Sequence, residues 1–213
     1  MEAVVDLPPL KILLLHDHLL ILKGFSEILK SMSPESTIKF HTSVDKAKDE
    51  LAREKYDILF SDLMMPGVNT REFISSCKKK YPELIIIILS GILEINVVKE
   101  YLGLGVNGFI SKVVSHQEVK LALETTHRGD TFVSSNLSGK LAFSLFATEK
   151  TSLTLRELEI LKLIAAGYSV EKTATILNKS AFTILAHRRS IMKKLDLHSG
   201  AELVKYAFEN NLN

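Results

Sequence analysis

The run Leu84–Ser90, LIIIILS, sets the tightest constraint on what this chain can fold into. After Leu84, five consecutive positions are isoleucine or leucine, so a strand here has no polar face to show to water. Such a strand has to be covered on both sides, the condition of a parallel sheet layered between helices. Four more short runs follow the same rule: Leu10–Leu15, Tyr56–Asp62, the weaker Thr37–Thr42 and the shortest, Gly108–Ser111. Between the runs lie segments of helical length with apolar residues three and four positions apart. Ile21, Phe25, Ile28 and Leu29 mark the first, and Val44, Ala47 and Leu51 the second. Phe73, Ile74 and Cys77 mark the third, and Val97, Val98, Tyr101 and Leu102 the fourth. Val119, Leu121, Ala122 and Thr126 mark the fifth, stopped by Gly129. The alternation predicts a doubly wound α/β domain of five parallel strands and five helices. Ligands of such sheets bind at the carboxyl ends of the strands.

Those ends carry chemistry. The first strand ends in His16 and Asp17, the third in Asp62, the fourth in Ser90, and the fifth just before Lys112. Taken singly, each is more economically a helix cap or a loop residue; Asp17 can cap the helix after it. Four strands delivering polar groups to one edge is a different matter.

The pieces LLLHDH, YDILFSDLMMPG, IIIILSG and NGFISK resemble the receiver domain of two-component response regulators over residues 10–130, in the flavodoxin-like class. The resemblance implies that Asp62 accepts a phosphoryl group from a sensor histidine kinase. It implies that Asp17, Asp62 and the backbone carbonyl of Met64 hold Mg²⁺, with His16 as a further candidate. Ser90, Phe109 and Lys112 are then the switch residues: Ser90 on the phosphoryl oxygen, Lys112 as its ion-pair partner, Phe109 as the aromatic rotamer switch. The chemistry is coherent, because a carboxylate attacking a phosphoryl group faces charge repulsion that a cation and a lysine offset.

The chain departs from the receiver pattern at three places. His16 stands where the family has an acidic residue, which leaves two carboxylates and a Mg²⁺ site that is neutral on balance. Weaker Mg²⁺ binding is expected. Two neighbouring carboxylates are expected to raise the His16 pKa and make metal binding pH-sensitive. Val113 replaces the family's proline after Lys112, so a cis peptide is not expected there. Met64 and Ile92, two residues beyond Asp62 and Ser90, are apolar and are expected to hinder an attacking water.

After Gly129 the pattern changes. DTFVSSNLSGK reads as the opening of a linker over residues 131–150, with Leu141–Ala147 adding a helical turn and Thr148–Ser152 a polar connection. From Thr154 onward the signal is helical. Thr154 and Glu157 form a capping box, and Leu158, Leu161 and Ile164 a stripe closed by Gly167. Ser169 caps a second helix, Asn178 suits a short turn, and Ser180 starts a third helix whose inner positions are Ile184, His187, Ile191 and Leu195. Ala201, Leu203, Val204 and Phe208 belong to a fourth. Residues 151–213 resemble the LuxR-type helix-turn-helix domain, on LTLREL, GYS and the spacing from Ser180 to Leu195. Receiver followed by this all-α domain is the order of the NarL/FixJ subfamily.

That resemblance places Leu185, Ala186 and Arg189 against base edges. Arg189 suits guanine, whereas Leu185 and the neighbouring Phe182 suit only thymine methyls or else are packed. Lys179, Thr183, Arg188, Lys193 and Lys194 are phosphate-contact candidates. On the fourth helix, Leu203, Tyr206 and Ala207 are candidates for a homodimer contact. The implied partners are a histidine kinase, double-stranded DNA in two half-sites and a second copy of the chain.

Composition limits the alternatives. With 46% hydrophobic and 24% charged residues the chain can bury real cores and is not disordered. One cysteine excludes a disulfide framework and a cysteine-rich zinc site. No apolar run approaches the roughly 20 residues of a membrane span, and MEAVVDLPPLK lacks a secretory pattern, so a cytoplasmic protein without a membrane partner is expected. The net charge of +2 hides an asymmetry: residues 1–147 carry 17 basic and 18 acidic side chains, and residues 148–213 carry 10 and 7. The basic excess lies on the candidate DNA reader, and it is modest. Two rival functions stand beside the phosphorylation-regulated transcription regulator. One is a DNA binder independent of phosphorylation, with a degenerate receiver as a dimerisation module. The other is a metal-dependent phosphohydrolase, disfavoured because Leu63 and Met64 supply no acid beside Asp62; no enzymatic turnover is expected.

Overall fold

The structure is a computed structural model that describes residues 7–91, 94–112, 115–144, 153–210 and 212. The chain divides into two compact units, residues 1–90 with 100–138 and residues 91–99 with 139–213.

The first unit is built on a parallel sheet. Strands β1 (Lys11–Leu15), β2 (Thr37–His41), β3 (Ile58–Asp62), β4 (Ile85–Ser90), β5 (Gly108–Ser111) and β6 (Phe132–Val133) lie in the order β2-β1-β3-β4-β5-β6. Helices α1 (Leu19–Met32), α2 (Val44–Arg53), α3 (Thr70–Lys80), α4 (Ile95–Gly103) and α5 (His116–His127) connect them. Every pairing is parallel, and Asp62 stands opposite Leu89 while Ser90 stands opposite Ser111. The order reverses between β1 and β3, which creates a crevice at their carboxyl ends. Strand β3 is buried at all five positions and β4 at five of six, as a run without alternation demands.

One core joins Ile12, Leu14, Ile58, Phe60, Ile87 and Ile110 of the sheet to Leu22, Phe25, Leu29 and Met32 of α1 and to Val119, Ala122 and Leu123 of α5. The rings of Phe25 and Phe60 meet edge to face at 5.1 Å. Alternation turns Leu13, Leu15, Leu59, Ile86, Ile88 and Phe109 to the opposite face, where they are equally buried. The α2 positions Val44, Ala47 and Leu51 and the α3 positions Phe73, Ile74 and Cys77 are buried as expected. Two helices keep most of the predicted stripe and differ at one position each. In α1, Ile21 is exposed and Leu22 packs; in α5, Leu121 is exposed and Leu123 packs. Each helix offers a second leucine one or two positions from the predicted residue, so periodicity left the choice to tertiary packing.

Among the described residues six strands are present where five were expected. The sixth comes from the stretch read as linker: Phe132 and Val133 pair with Gly108 and Phe109. Two residues are too short to show a period, and only the neighbouring strand makes them one. Helix α6 (Ser135–Ser144) then occupies most of the expected linker and begins six residues before the predicted turn at Leu141. Ile92, Val113 and the connection Thr148–Ser152 lie outside the described residues.

The second unit holds α7 (Leu155–Ala165), α8 (Val170–Ile176), α9 (Ala181–Leu195) and α10 (Gly200–Glu209). Their starts are written in side chains. Thr154 and Glu157 complete a capping box on α7, and Ser169, Ser180 and Ser199 each accept a backbone N–H at the heads of α8, α9 and α10. The α8–α9 turn passes through Asn178 at φ 50° and the end of α9 through Asp196 at φ 54°, left-handed positions that asparagine and aspartate tolerate. Leu158, Ile160, Leu161, Ala174, Ile184, Ile191, Leu203 and Ala207 form the core. Burial of Leu203 and Ala207 removes both from the expected dimer contact, because the inner face of α10 is spent on this core. Among the described residues no helix is long and apolar enough to cross a membrane.

Candidate functional site

The crevice at the ends of β1, β3 and β5 gathers the predicted polar set. The Asp62 carboxylate, only 4% exposed, closes β3. Its Oδ1 lies 3.0 Å from Lys112 Nζ, and its Oδ2 lies 3.8 Å from Nε2 of His16. Lys112 is aimed by its backbone N–H, which donates to the Ser90 carbonyl at 2.9 Å, so the lysine is held against the end of β4. Ser90 is 1% exposed and Phe109 fully buried. The loop after β3 turns at Gly67, with φ 70°, and carries Met64 half-buried beside Asp62 in sequence. Thr70 Oγ1 accepts the Met65 N–H at 3.3 Å and ties that loop to the head of α3.

At the end of β1 the sequence HDH packs into one knot. The His16 ring is 1% exposed. Its Nδ1 accepts the His18 backbone N–H at 3.0 Å and lies 2.8 Å from Asp17 Oδ1. The same Asp17 oxygen is 2.6 Å from Nδ1 of His18. His16 Nε2 is buried without a hydrogen-bond partner. The expected rise of the His16 pKa is reversed. Burial pushes it below 6.5 and outweighs the pull of Asp62, and the Lys112 ammonium reinforces the burial. The imidazole is therefore neutral near pH 7. The sequence showed the carboxylates beside it and not the dry wall around it.

These groups fit a divalent cation. A buried imidazole nitrogen without a partner faces a carboxylate oxygen whose twin is taken by lysine, and Asp17 stands behind the ring. The donor set is mixed nitrogen and oxygen, whereas Mg²⁺ prefers oxygen alone. Among the described residues His16, Asp17 and His18 form a group whose ligand atoms all lie within 4.8 Å of one another. His18 was not singled out from the sequence, although the HDH triplet was its signal. Ser134, whose Oγ accepts the Ser111 N–H at 3.0 Å beside the switch strand, lay in the stretch read as linker.

The second unit presents a separate surface. Along α9, Phe182, Leu185, Ala186, Arg189 and Lys193 are exposed, at steps of three, one, three and four, which align them on one face. Phe182 is 79% exposed and Leu185 41%, so neither is packed inside. Lys179 is exposed in the turn before the helix, and the Thr183 hydroxyl bonds Ser180 Oγ at 2.8 Å. Arg188 lies half-buried, its guanidinium so close to Gly200 that a Cβ there would stand 2.4 Å from Nη2. Lys194, a third exposed, has its Nζ 2.6 Å from Glu157 Oε2, so it is also tied to α7. Glu157, read from the sequence only as half of a capping box, also accepts Ser190 Oγ at 2.7 Å and so pins α9 to α7.

Comparison with known proteins agrees with this arrangement. Residues 12–124 match the family described as response regulator receiver domain, and residues 151–207 match bacterial regulatory proteins of the luxR family. The chain is 33% identical over 215 residues to the oxygen regulatory protein NreC of Staphylococcus haemolyticus, covering 95% of this chain and 99% of that one. Identity to NreC of Staphylococcus aureus strain bovine RF122 is also 33%, over 214 residues, with the same coverage. Among solved structures, the RcsB response regulator of Salmonella typhimurium superposes with a TM-score of 0.59 at 25% identity, covering 94% of this chain and 99% of that one. RcsB of Salmonella enterica serovar Typhimurium, bound to promoter rprA in the presence of the phosphomimetic BeF₃⁻, gives a TM-score of 0.70 at 24% identity, covering 92% and 98%.

Proposed function

This chain belongs to the response regulators of the NarL/FixJ type, DNA-binding transcription regulators, and from that premise we propose that phosphorylation of Asp62 controls its binding to DNA. The observation that carries the proposal is the buried Asp62 carboxylate with Lys112 Nζ at 3.0 Å. One oxygen is neutralised by the lysine while the other faces the crevice. In the transfer, an Asp62 oxygen forms a bond to phosphorus as the donor's P–N bond breaks. The electron pair returns to the imidazole of a histidine kinase. Lys112 stabilises charge on the equatorial oxygens throughout. A divalent cation, held by Asp17, Asp62 and the Met64 carbonyl, supplies further charge neutralisation when bound.

Phosphorylation adds roughly 1.5 to 2 negative charges to a site that holds one lysine. Ser90, one strand away, donates its hydroxyl to the new phosphoryl group, and Lys112 shifts from carboxylate to phosphate. Phe109, buried on the neighbouring strand, repacks as these two move, which changes the surface around β5. The helix-turn-helix unit then lays α9 in the major groove. Arg189 reads guanine and Leu185, Ala186 and Phe182 lie against thymine methyls. Lys179, Thr183 and Lys193 contact phosphates, with Arg188 beside them. Two copies read two half-sites. RcsB bound to a promoter with a phosphomimetic is a neighbouring fold in that state.

The test is labelling of the full chain with a small phosphoryl donor, acetyl phosphate. The wild type acquires an acid-stable, hydroxylamine-sensitive acyl phosphate, and Asp62→Asn does not. Equal labelling of both rejects Asp62 as the acceptor.

A further inference from the structure

Helix α9 lacks most of the side chains that read bases. From Ala181 to Leu195 it contains no asparagine, glutamine, aspartate or glutamate. Those are the residues that pair with adenine or accept from the cytosine amino group. Its hydroxyls are engaged within the unit: Thr183 bonds Ser180 Oγ at 2.8 Å, and Ser190 Oγ donates to Glu157 Oε1 at 2.7 Å. His187 lies half-buried. What the outward face offers to base edges is Arg189 and the apolar group Phe182, Leu185 and Ala186, all exposed. A guanidinium pairs with O6 and N7 of guanine. An apolar side chain in the major groove has one feature to recognise, the C5-methyl of a pyrimidine. Arg189 stands one helical turn, about 5.4 Å, beyond Leu185. Successive bases on a strand are about 3.4 Å apart, so the two side chains can address a single dinucleotide step. Phe182, three positions before Leu185, extends the same apolar surface.

From this face we infer that α9 recognises a C5-methylated pyrimidine followed by guanine, so that 5-methylcytosine serves in place of thymine and cytosine methylation of the DNA raises the affinity of this protein. Leu185 and Phe182 cover the methyl, and Arg189 holds the guanine. The apolar pair is indifferent to which base carries the methyl. Thymine and 5-methylcytosine both project it from C5 into the major groove. They differ at C4, an oxygen against an amino group, and a hydrocarbon side chain bonds neither. The planar, weakly hydrated guanidinium of Arg189, bonded edge-on to guanine, turns its face to the same methyl. Unmethylated cytosine offers only a C5–H, and leaves that apolar surface in contact with water. The inference rests on the reading that α9 lies in the major groove with Arg189 at guanine.

The test uses the full chain and a duplex that it selects from a random pool, titrated by anisotropy. At a pyrimidine before guanine in that duplex, thymine, uracil, cytosine and 5-methylcytosine are compared, each with its pairing purine. Uracil is expected to bind about 4-fold more weakly than thymine, and 5-methylcytosine about 4-fold more tightly than cytosine, the worth of one buried methyl. Leu185→Ala is expected to bring both ratios within about 1.5-fold of unity. Leu185→Lys is expected to erase both ratios whatever its added charge does to overall affinity. Leu185 is exposed, so neither substitution disturbs the fold. A selected duplex without a pyrimidine–guanine step, or a wild type blind to both methyls, overturns the inference. A response to the thymine methyl without one to 5-methylcytosine overturns the equivalence and leaves the groove reading standing. Ratios unchanged in both Leu185 variants assign the effect to DNA shape and overturn the role of this face. Failure to select any duplex, or Arg189→Ala binding selected and random DNA as the wild type does, overturns the groove reading itself.

Discussion

Glu157→Ala tests how the DNA-reading helix is held. The carboxylate is 3% exposed. Its Oε2 accepts the Thr154 backbone N–H at 2.8 Å, Thr154 Oγ1 at 3.0 Å and Lys194 Nζ at 2.6 Å, and its Oε1 accepts Ser190 Oγ at 2.7 Å. Truncation ends the capping box, at about 1 kcal/mol. It also breaks an ion pair that, fully buried, costs roughly 3–5 kcal/mol to lose one partner. The Lys194 side chain is 33% exposed and regains water, so the second contribution falls to about 2 kcal/mol. The total is about 3 kcal/mol, which for a helical domain of this size lowers its melting temperature by roughly 12–24 °C. Glu157→Gln keeps acceptors for Thr154 and Ser190 and should cost about half as much. Differential scanning calorimetry of the full chain separates the transitions of the two units, since a two-domain chain is not a single two-state system. A shift below roughly 4 °C for Glu157→Ala would refute the reasoning, because it would mean less than about 1 kcal/mol in the whole cluster.

Four further outcomes are expected. Burial pushes the Glu157 carboxyl up, but the bonds from Lys194, Thr154 and Ser190 win and leave it below 4.5. Its contribution to stability is therefore complete above pH 4.5 and lost as pH falls through the lowered value, and pH-dependent melts of Glu157→Gln should lack that component. Arg189→Ala should cost about 1–3 kcal/mol on a selected duplex and relax one base position, whereas Lys193→Ala should weaken all duplexes alike, as read by anisotropy titrations. Phe182→Ala should change folding stability by no more than about 0.5 kcal/mol, since the ring is exposed, yet reduce discrimination of thymine from uracil in the site. Phe109→Ala, in contrast, should cost the receiver about 3–5 kcal/mol in denaturant titrations because the ring is fully buried.

Legibility in the sequence followed the strength of local signals. Four of the longer strands were readable because LIIIILS and its relatives cannot be half-solvated, and three of the helix caps in the second unit because Thr154, Ser169 and Ser180 bond only their own helices. Strand β6 was not, since Phe132 and Val133 become a strand only by pairing with β5. The single exchanged position in α1 and in α5 was not, since Leu22 beside Ile21 and Leu123 near Leu121 leave periodicity two answers. In the crevice, residue identities were legible and their environment was not. His16 was seen beside two carboxylates, and its burial reversed the expected direction of its pKa. Lys194 carried the right charge for a phosphate contact, and only the fold showed that Glu157 had claimed it. Leu203 and Ala207 were likewise visible as one apolar face of α10, with nothing local to say that the face is internal.

The central claim is that Asp62 governs DNA binding. The most direct measurement is the anisotropy of a duplex, selected from a random pool by this protein, titrated with the full chain with and without beryllofluoride, with Mg²⁺ and Co²⁺ in separate arms. In at least one cation, beryllofluoride should tighten binding by about 10-fold or more in the wild type, within the usual range of coupling between two sites. Asp62→Asn should bind with the unstimulated affinity and show no response. Unchanged affinity of the wild type in both cations, or an equal gain in Asp62→Asn, would contradict the account.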